Sequence, residues 1–454
     1  MKSGIKIVKL LQTKGYQAYF VGGMVRDMLL NRTSDNIDIA TDATPDEVER
    51  ILKKAGYKPK EVGKKFGTIL VIDNSMVVEI TTFRAEGRYS DNRHPDQVRF
   101  IKDYKEDAKR RDFTINALYF DPITKQTFDP TNGIKDIGLK ILRFVGDPKK
   151  RIDEDGLRMM RGVRLATQLG FKLEKNSFAA IKTRAKYIQG ISGERIKAEL
   201  DKILLSENRV VGLELLDKTG LLRFIIPEME SLKKFTHRSK IYHQEGDMFI
   251  HTLLALKNTP SSNLDLLYAI LFHDISKPQR AIKKLKAEGW VLSTPGHADA
   301  SAEIFLKFSV RLKFPRKNTK TIEWLIRKHG LSSSFFEMRP VKQFRIASQP
   351  SFELLMQHWY ADHHGNERIE GGVEHTRQFK KSMAAGKKML KQIQANQDLF
   401  RQLADGKLVM KYSKLKPGVE LGRKIEDVKI QIILGKIKNE KDIFITGKIR
   451  HKNK

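Results

Sequence analysis

Asn36 and Asp38 stand two residues apart in the segment NIDIAT; a strand would turn both to one face and Asp35 to the other. Glu79, in VVEITTF, is a candidate to join them from a neighbouring strand. Oxygen ligands clustered in this way suit two Mg2+ ions that activate a hydroxyl and clamp a triphosphate, which is polymerase-type chemistry. Just upstream, YFVGGMVRD sets Gly22 and Gly23 between an expected strand and an expected helix. Glycine lets the backbone approach a phosphate, a helix N-terminus offers unpaired N–H groups, and Arg26 would add charge-assisted bonds. The second half of the chain holds a different set. His251, the adjacent His273 and Asp274 in LFHDISKP, His297, His329 and Asp362 are spread through segments of apolar, helical pattern. Imidazole and carboxylate together suit Mn, Ni, Fe, Zn or Co.

Elements able to position these groups are readable from the apolar pattern. QAYFVGG, NIDIAT, GTILVIDN, MVVEITTF and QVRFI read as strands within the first 140 residues, with helices after GGMVRD and the turn TDATPDEV. From about residue 150 the pattern is helical, through LRMMRGVRLATQLGF, SGERIKAELDKILL, most of 240–370, a stretch around 371–405 and KPGVELGRKIEDVKIQIILGKI. The expected class is an α+β head followed by all-α regions, and 454 residues correspond to about three domains.

Composition narrows the setting. There is no cysteine, so any metal must rely on His and carboxylate ligands. No run of apolar residues is long enough for a transmembrane helix, and the N-terminus lacks the apolar core of a signal peptide, so no membrane partner and a cytoplasmic setting are expected. Lys and Arg number 86 against 54 Asp and Glu, a net charge of +32 that points to a polyanion.

Taken in order, VGGMVRDMLL, NIDIATDATPDEV, EITTFRAEGRYSDNRHPDQVRF and DAKRRDFTINALYFDP resemble the class II tRNA nucleotidyltransferase and bacterial poly(A) polymerase family. The resemblance implies a polymerase β-like nucleotidyltransferase head over 1–140 and a helical neck, with a nucleotide-selecting helix and RNA-binding region, over 141–235. A helical body and tail that bind tRNA would follow over 371–438, and the basic end 439–454 falls outside the likeness. It implies Mg2+ in the head and tRNA, CTP and ATP as partners, and leaves monomer or homodimer open. Family members carry Asp at both strand positions, whereas this chain has Asn36 and Asp38; it also has Asn31 where Gly is usual. By the same resemblance Asp112 and Asn116 hold the ribose and Arg111 faces the triphosphate, while Arg161 and Arg164 are candidates for base or phosphate contacts. Arg88 and Arg93 would lie on a loop that switches C to A addition, and Glu194 and Arg195 would be structural.

RIDEDGLRMMRGVRLATQLGF resembles the nucleotide-selecting helix, with Asp155 and Arg158 at i and i+3 on one helical face. Cytosine and adenine both present an amino donor beside a ring-nitrogen acceptor; guanine and uracil present the reverse. One carboxylate and one guanidinium therefore match C and A, and a mismatch leaves polar groups unpaired, enough for rejection by ~10⁴ or more. The histidine set has the order of an HD phosphohydrolase domain, expected over 236–370 with a transition metal at His251, His273, Asp274, His297, His329 and Asp362. The expected function is CCA addition to tRNA 3′ ends. Two alternatives remain open: a poly(A) polymerase or an A-only or CC-only enzyme, and an RNA-binding HD phosphohydrolase whose polymerase site Asn36 has weakened or silenced.

Overall fold

Alternating apolar residues build a mixed sheet at the N-terminus. The computed structural model describes residues 1–33, 36–61, 63–73, 76–87, 97–235, 247–286, 289–366 and 373–443. Asp35, Arg88 and Arg93 lie outside the described residues. The strands of the head are β1 (Ala18–Val21), β2 (Asn36–Thr41), β3 (Thr68–Asp73), β4 (Met76–Thr82), β5 (Arg84–Glu86), β6 (Val98–Phe100), β7 (Tyr119–Phe120) and β8 (Thr127–Phe128). Six of them form one sheet in the order β3-β4-β2-β1-β7-β8, while β5 and β6 pair as a separate ribbon. β2 and β4 run parallel, in a register that sets Asp38 opposite Glu79.

One face of this sheet is covered by α1 (Lys2–Thr13) and α3 (Pro45–Lys54), separated in the chain by α2 (Gly23–Leu29). Ile7, Val8 and Leu11 from α1 and Val48 and Leu52 from α3 pack on Ile37, Ile39, Ile69 and Ile80. α3 starts where it does because Thr44 and Glu47 form a reciprocal capping box and Pro45 occupies the first helical turn. Burying the apolar side of β2 in this core leaves the alternate positions Asn36 and Asp38 on the other face.

Beyond the sheet come α4 (Tyr104–Lys109), α5 (Gly133–Gly138), α6 (Pro148–Glu154), α7 (Arg158–Leu169), α8 (Lys175–Arg184) and α9 (Gly193–Leu204). Head and neck share one compact unit, Met1–Pro227. Gly162 on α7, for example, comes so near Phe113 that an added Cβ would stand 3.3 Å from its ring.

Glu228–Lys454 form the second unit. It is largely helical, with Phe272, Phe305, Phe308 and Trp359 fully buried. A hairpin of Ile282–Lys286 and Gly289–Ser293 departs from the all-α expectation, as does the short parallel pairing of 172–173 with 141–142 in the first unit. Among the described residues no helix is long and apolar enough to cross a membrane.

Candidate functional site

Gly22 is the point around which the first site closes. Its φ of +73° is strained for a residue with a side chain, and an added Cβ would lie 3.6 Å from Asp38 Oδ2 and 3.7 Å from Arg111 Nη1. The turn thus brings bare backbone against a carboxylate and a guanidinium from two other parts of the chain. A cleft of about 360 Å³ opens here, lined by Gly22, Gly23, Asp38, Asp112, Asn116, Asp155, Arg158 and Arg161, together with four arginines at 84, 110, 111 and 195. Asn36, Glu79, Arg26 and Arg164 are not among its lining residues. Arg26 instead pairs with Asp27 at 2.8 Å and donates to Asn116 Oδ1 at 2.7 Å. Arg164 is held by Glu199 and by Gln168 Oε1, the latter at 2.8 Å.

The carboxylates divide into two kinds. Burial pushes the Asp38 carboxyl above its ordinary range, against the pull of Arg111 and Arg26. Burial also lifts Glu79, and the charge of Asp38 lifts it further. Asp107 and Asp112 behave oppositely. Burial opposes their charging, but Arg110 and Arg111 around Asp107, and Arg161 and Arg158 around Asp112, bring both to about 2.

Asp107 is a fully buried hub that sequence reasoning missed. It accepts from Arg110 Nε at 2.8 Å, Arg111 Nη2 at 3.0 Å, the Tyr119 hydroxyl at 2.7 Å and the Arg84 backbone N–H at 3.1 Å. Asp112 accepts from Arg161 Nε at 2.9 Å and from Asn116 Nδ2 at 3.2 Å.

Asp155 and Arg158 both line the cleft, but not from one helical face. α6 ends at Glu154, Asp155 is extended (φ −147°, ψ 105°), and α7 begins at Arg158. Gly156 stands in the break. A carboxylate before the new helix accepts from the N–H of Leu157 at 3.0 Å, satisfying a donor that continuous helix would have paired internally. Arg195, expected to be structural only, reaches from α9 to Asp155 Oδ2 at 2.8 Å and lines the cleft itself. Arg158 is clamped by the carbonyls of Arg151 at 2.9 Å and Arg110 at 3.1 Å.

In the second unit all six predicted ligand residues converge. Asp274 lies at their centre. Its Oδ2 is 3.1 Å from His273 Nε2 and 3.7 Å from His251 Nε2; its Oδ1 is 3.4 Å from His297 Nε2 and 3.5 Å from His329 Nε2. Asp362 closes the first group, 3.2 Å from His251 and 3.6 Å from His273. The far ring nitrogens of His273, His297 and His329 bond backbone carbonyls at 2.7–2.8 Å, which aims their Nε2 atoms inward. Two triads with ligand atoms in metal-binding reach share Asp274: His251–His273–Asp274 and Asp274–His297–His329. Burial disfavours a charged His273, yet Asp274 and Asp362 outweigh it and raise its pKa to about 10; burial lowers His297 to about 4. His358, one helical turn before Asp362 and fully buried, lays its ring 5.3 Å from that of His273 and 5.6 Å from that of His329. Its i, i+4 spacing from Asp362 was the signal available in the sequence.

A mixed sheet that holds a strand carboxylate beneath a glycine turn and an arginine-lined cleft defines a nucleotidyltransferase head. Residues 18–143 match the family model "Poly A polymerase head domain", and residues 170–233 match "Probable RNA and SrmB-binding site of polymerase A". These two stretches are similar to the head and the RNA-binding segment of poly(A) polymerases. The chain is 46% identical over 212 residues to a CCA-adding enzyme of Enterococcus faecalis, covering 47% of this chain and 51% of that one. It is 39% identical over 269 residues to a CCA-adding enzyme of Ligilactobacillus salivarius, covering 58% and 65%. These matches thus span about half to two thirds of the relatives' own lengths. Among solved structures, the Bacillus stearothermophilus CCA-adding enzyme in complex with CTP superposes with a TM-score of 0.65 at 26% identity, over 98% of this chain and 96% of that one.

Proposed function

We propose that this chain is a cytoplasmic tRNA nucleotidyltransferase that adds C, C and A to RNA 3′ ends from CTP and ATP, with protein side chains in place of a nucleic acid template. The observation that carries this reading is that Asp155 and Arg158 line the same cleft as Asp38 and the Gly22 turn. A base edge and a triphosphate would be held there together.

In this reading Arg111, with Arg84 and Arg110, faces the triphosphate, and Asp112 with Asn116 takes the ribose hydroxyls. Asp155 accepts from the exocyclic amino group of C or A, and Arg158 donates to the adjacent ring nitrogen. Arg195 fixes the Asp155 carboxylate while leaving lone pairs for the base. Asp38 and Glu79, with the Asn36 carbonyl oxygen, would hold Mg2+; two carboxyls raised by burial, Glu79 also by the charge of Asp38, fit a cation that offsets their charge. When bound, Mg2+ activates the attacking hydroxyl and neutralises the triphosphate. The relatives named CCA-adding enzymes support the reading. The test is incorporation of CTP and ATP, alone and together, into tRNA ending at the discriminator base. A CCA end is expected. Addition of A alone, or a stop at CC, selects the narrower product classes, and no incorporation by either this protein or Asn36→Asp overturns the transferase reading.

A second reading concerns the histidine centre. Asp274 standing between two histidine groups favours an HD-type metal phosphohydrolase, and the lifted His273 marks negative charge that a divalent ion would offset. Its substrate class would be phosphoesters such as 2′,3′-cyclic RNA ends. Hydrolysis of such ends is assayed with Mn2+, Ni2+, Co2+, Fe2+ or Zn2+. Absence of hydrolysis with every ion, in a preparation that adds nucleotides, overturns it.

A further inference from the structure

Beside the cleft is a second hollow of about 300 Å³, lined by Ile152, Asp153, Gly156, Tyr187, Gly190 and Ile191. The two spaces share one stretch of chain. Asp153 and Gly156 face the hollow, whereas Asp155, Leu157 and Arg158 face the cleft. Tyr187 is unusual for a large aromatic residue in keeping 44% of its surface exposed. Arg184 Cζ lies 5.7 Å and Lys186 Nζ 5.9 Å from its ring centroid. Asp153, the one carboxylate among the lining residues, is neutralised by a two-pronged contact with Arg184, at 2.5 and 2.8 Å. Ile152 and Ile191 supply apolar walls. At Gly190 a Cβ would meet nothing within 4 Å, and its backbone is not in the left-handed region, so the wall is open there for want of a side chain.

An exposed ring flanked by cations, against an apolar wall, is the arrangement that stacks single-stranded nucleic acid bases while holding their phosphates. Residues 184–191 also fall inside the segment matched by a model described as a probable RNA-binding site. We infer that Tyr187 is a stacking platform for an unpaired base of the RNA 3′ end, with Lys186 taking its phosphate. This rests on the transferase reading for the identity of the RNA, though not for the existence of the platform. Nothing about it reads sequence, because every base offers a π face. One position would thus serve the strand as its terminal base changes.

The test uses the full chain and a tRNA carrying 2-aminopurine as its 3′-terminal base, whose fluorescence falls on stacking. The native protein and Tyr187→Phe should quench it. Tyr187→Ala should not, and should bind this RNA about tenfold more weakly with CTP affinity unchanged. Gly190→Val, which adds a side chain at the wall of the hollow without backbone strain, should reproduce the Ala result. Equal quenching and affinity in all four proteins overturns the platform and leaves the hollow to a protein segment. Nucleotide addition is followed in parallel. A native protein that quenches but adds nothing overturns the transferase reading alone, whereas one that adds nucleotides with Tyr187→Ala indistinguishable from it overturns the platform alone.

Discussion

At the residue scale the decisive position is Asn36. Its amide oxygen could still ligate a cation, but it would supply one unit less of negative charge where divalent cations would meet a triphosphate. Asn36→Asp is expected to raise the turnover of CTP incorporation by ~10²-fold or more, and equal rates would show that Asp38 and Glu79 suffice. Asp107 makes a second prediction. Because one buried carboxylate anchors three basic residues of the cleft, Asp107→Asn should destabilise the fold by about 3 kcal/mol in urea unfolding. It should also raise the KM for nucleotides. Asp107 and Asp112 both titrate at about 2 against an ordinary 3.8, so the stability they confer is complete above about pH 4. It drains as the pH falls toward 2, at about 2 kcal/mol for each group. Acid unfolding followed by circular dichroism should be less steep in Asp107→Asn. Of these residues Asp38, Asp112 and the six metal-site candidates were legible, because strand alternation and motif order encode them. Asp107, Arg84, Arg195 and His358 were not read as site residues: the fold brings Arg195 to Asp155 and His358 to His273 across long stretches of chain, and nothing in the local pattern around Asp107 or Arg84 marks a cleft.

At the scale of elements, five strands declared themselves through alternation, and the turn TDATPDEV announced α3. β7 and β8 have two residues each, too short for any period to show. The 282–293 hairpin was hidden by its run of lysines, which reads as solvated helix or loop. Asp155 and Arg158 were legible as a pair for the wrong reason: i, i+3 spacing suggested one helix, but Gly156 and the cap at Leu157 break it. The helices Met248–Lys257 and Phe352–Gly365 carry His251 and Asp362, and they touch where Gly365 has no side chain. A Cβ there would stand 2.7 Å from the backbone nitrogen of Ala255. Gly365→Ala should therefore part the helices, cost about 1–3 kcal/mol, and weaken Mn2+ binding measured by calorimetry. CTP binding in the first unit should be unchanged.

For the molecule as a whole, the +32 charge is the property most exposed to conditions. If six or more phosphates are contacted, raising salt from about 50 to about 200 mM should cut tRNA affinity by ~10³-fold or more. A flat salt titration would separate RNA binding from this charge. Charge alone named only a polyanion; the proposal of RNA and nucleotides adds the shape of the cleft to the sign of the charge.

The parallel register of β2 and β4 has an evolutionary corollary. The facing of Asp38 and Glu79 is stored as a count of residues along two strands, much as a codon is stored in a reading frame. Extra residues in the exposed turn between Gly56 and Lys60 would leave that count untouched. A single residue inserted inside β4 ahead of Glu79 would be a frameshift in space, setting Val78 opposite Asp38 and turning the acid to the far side of the sheet. Length changes in the connection are therefore expected to be tolerated, and indels within the paired strands are not.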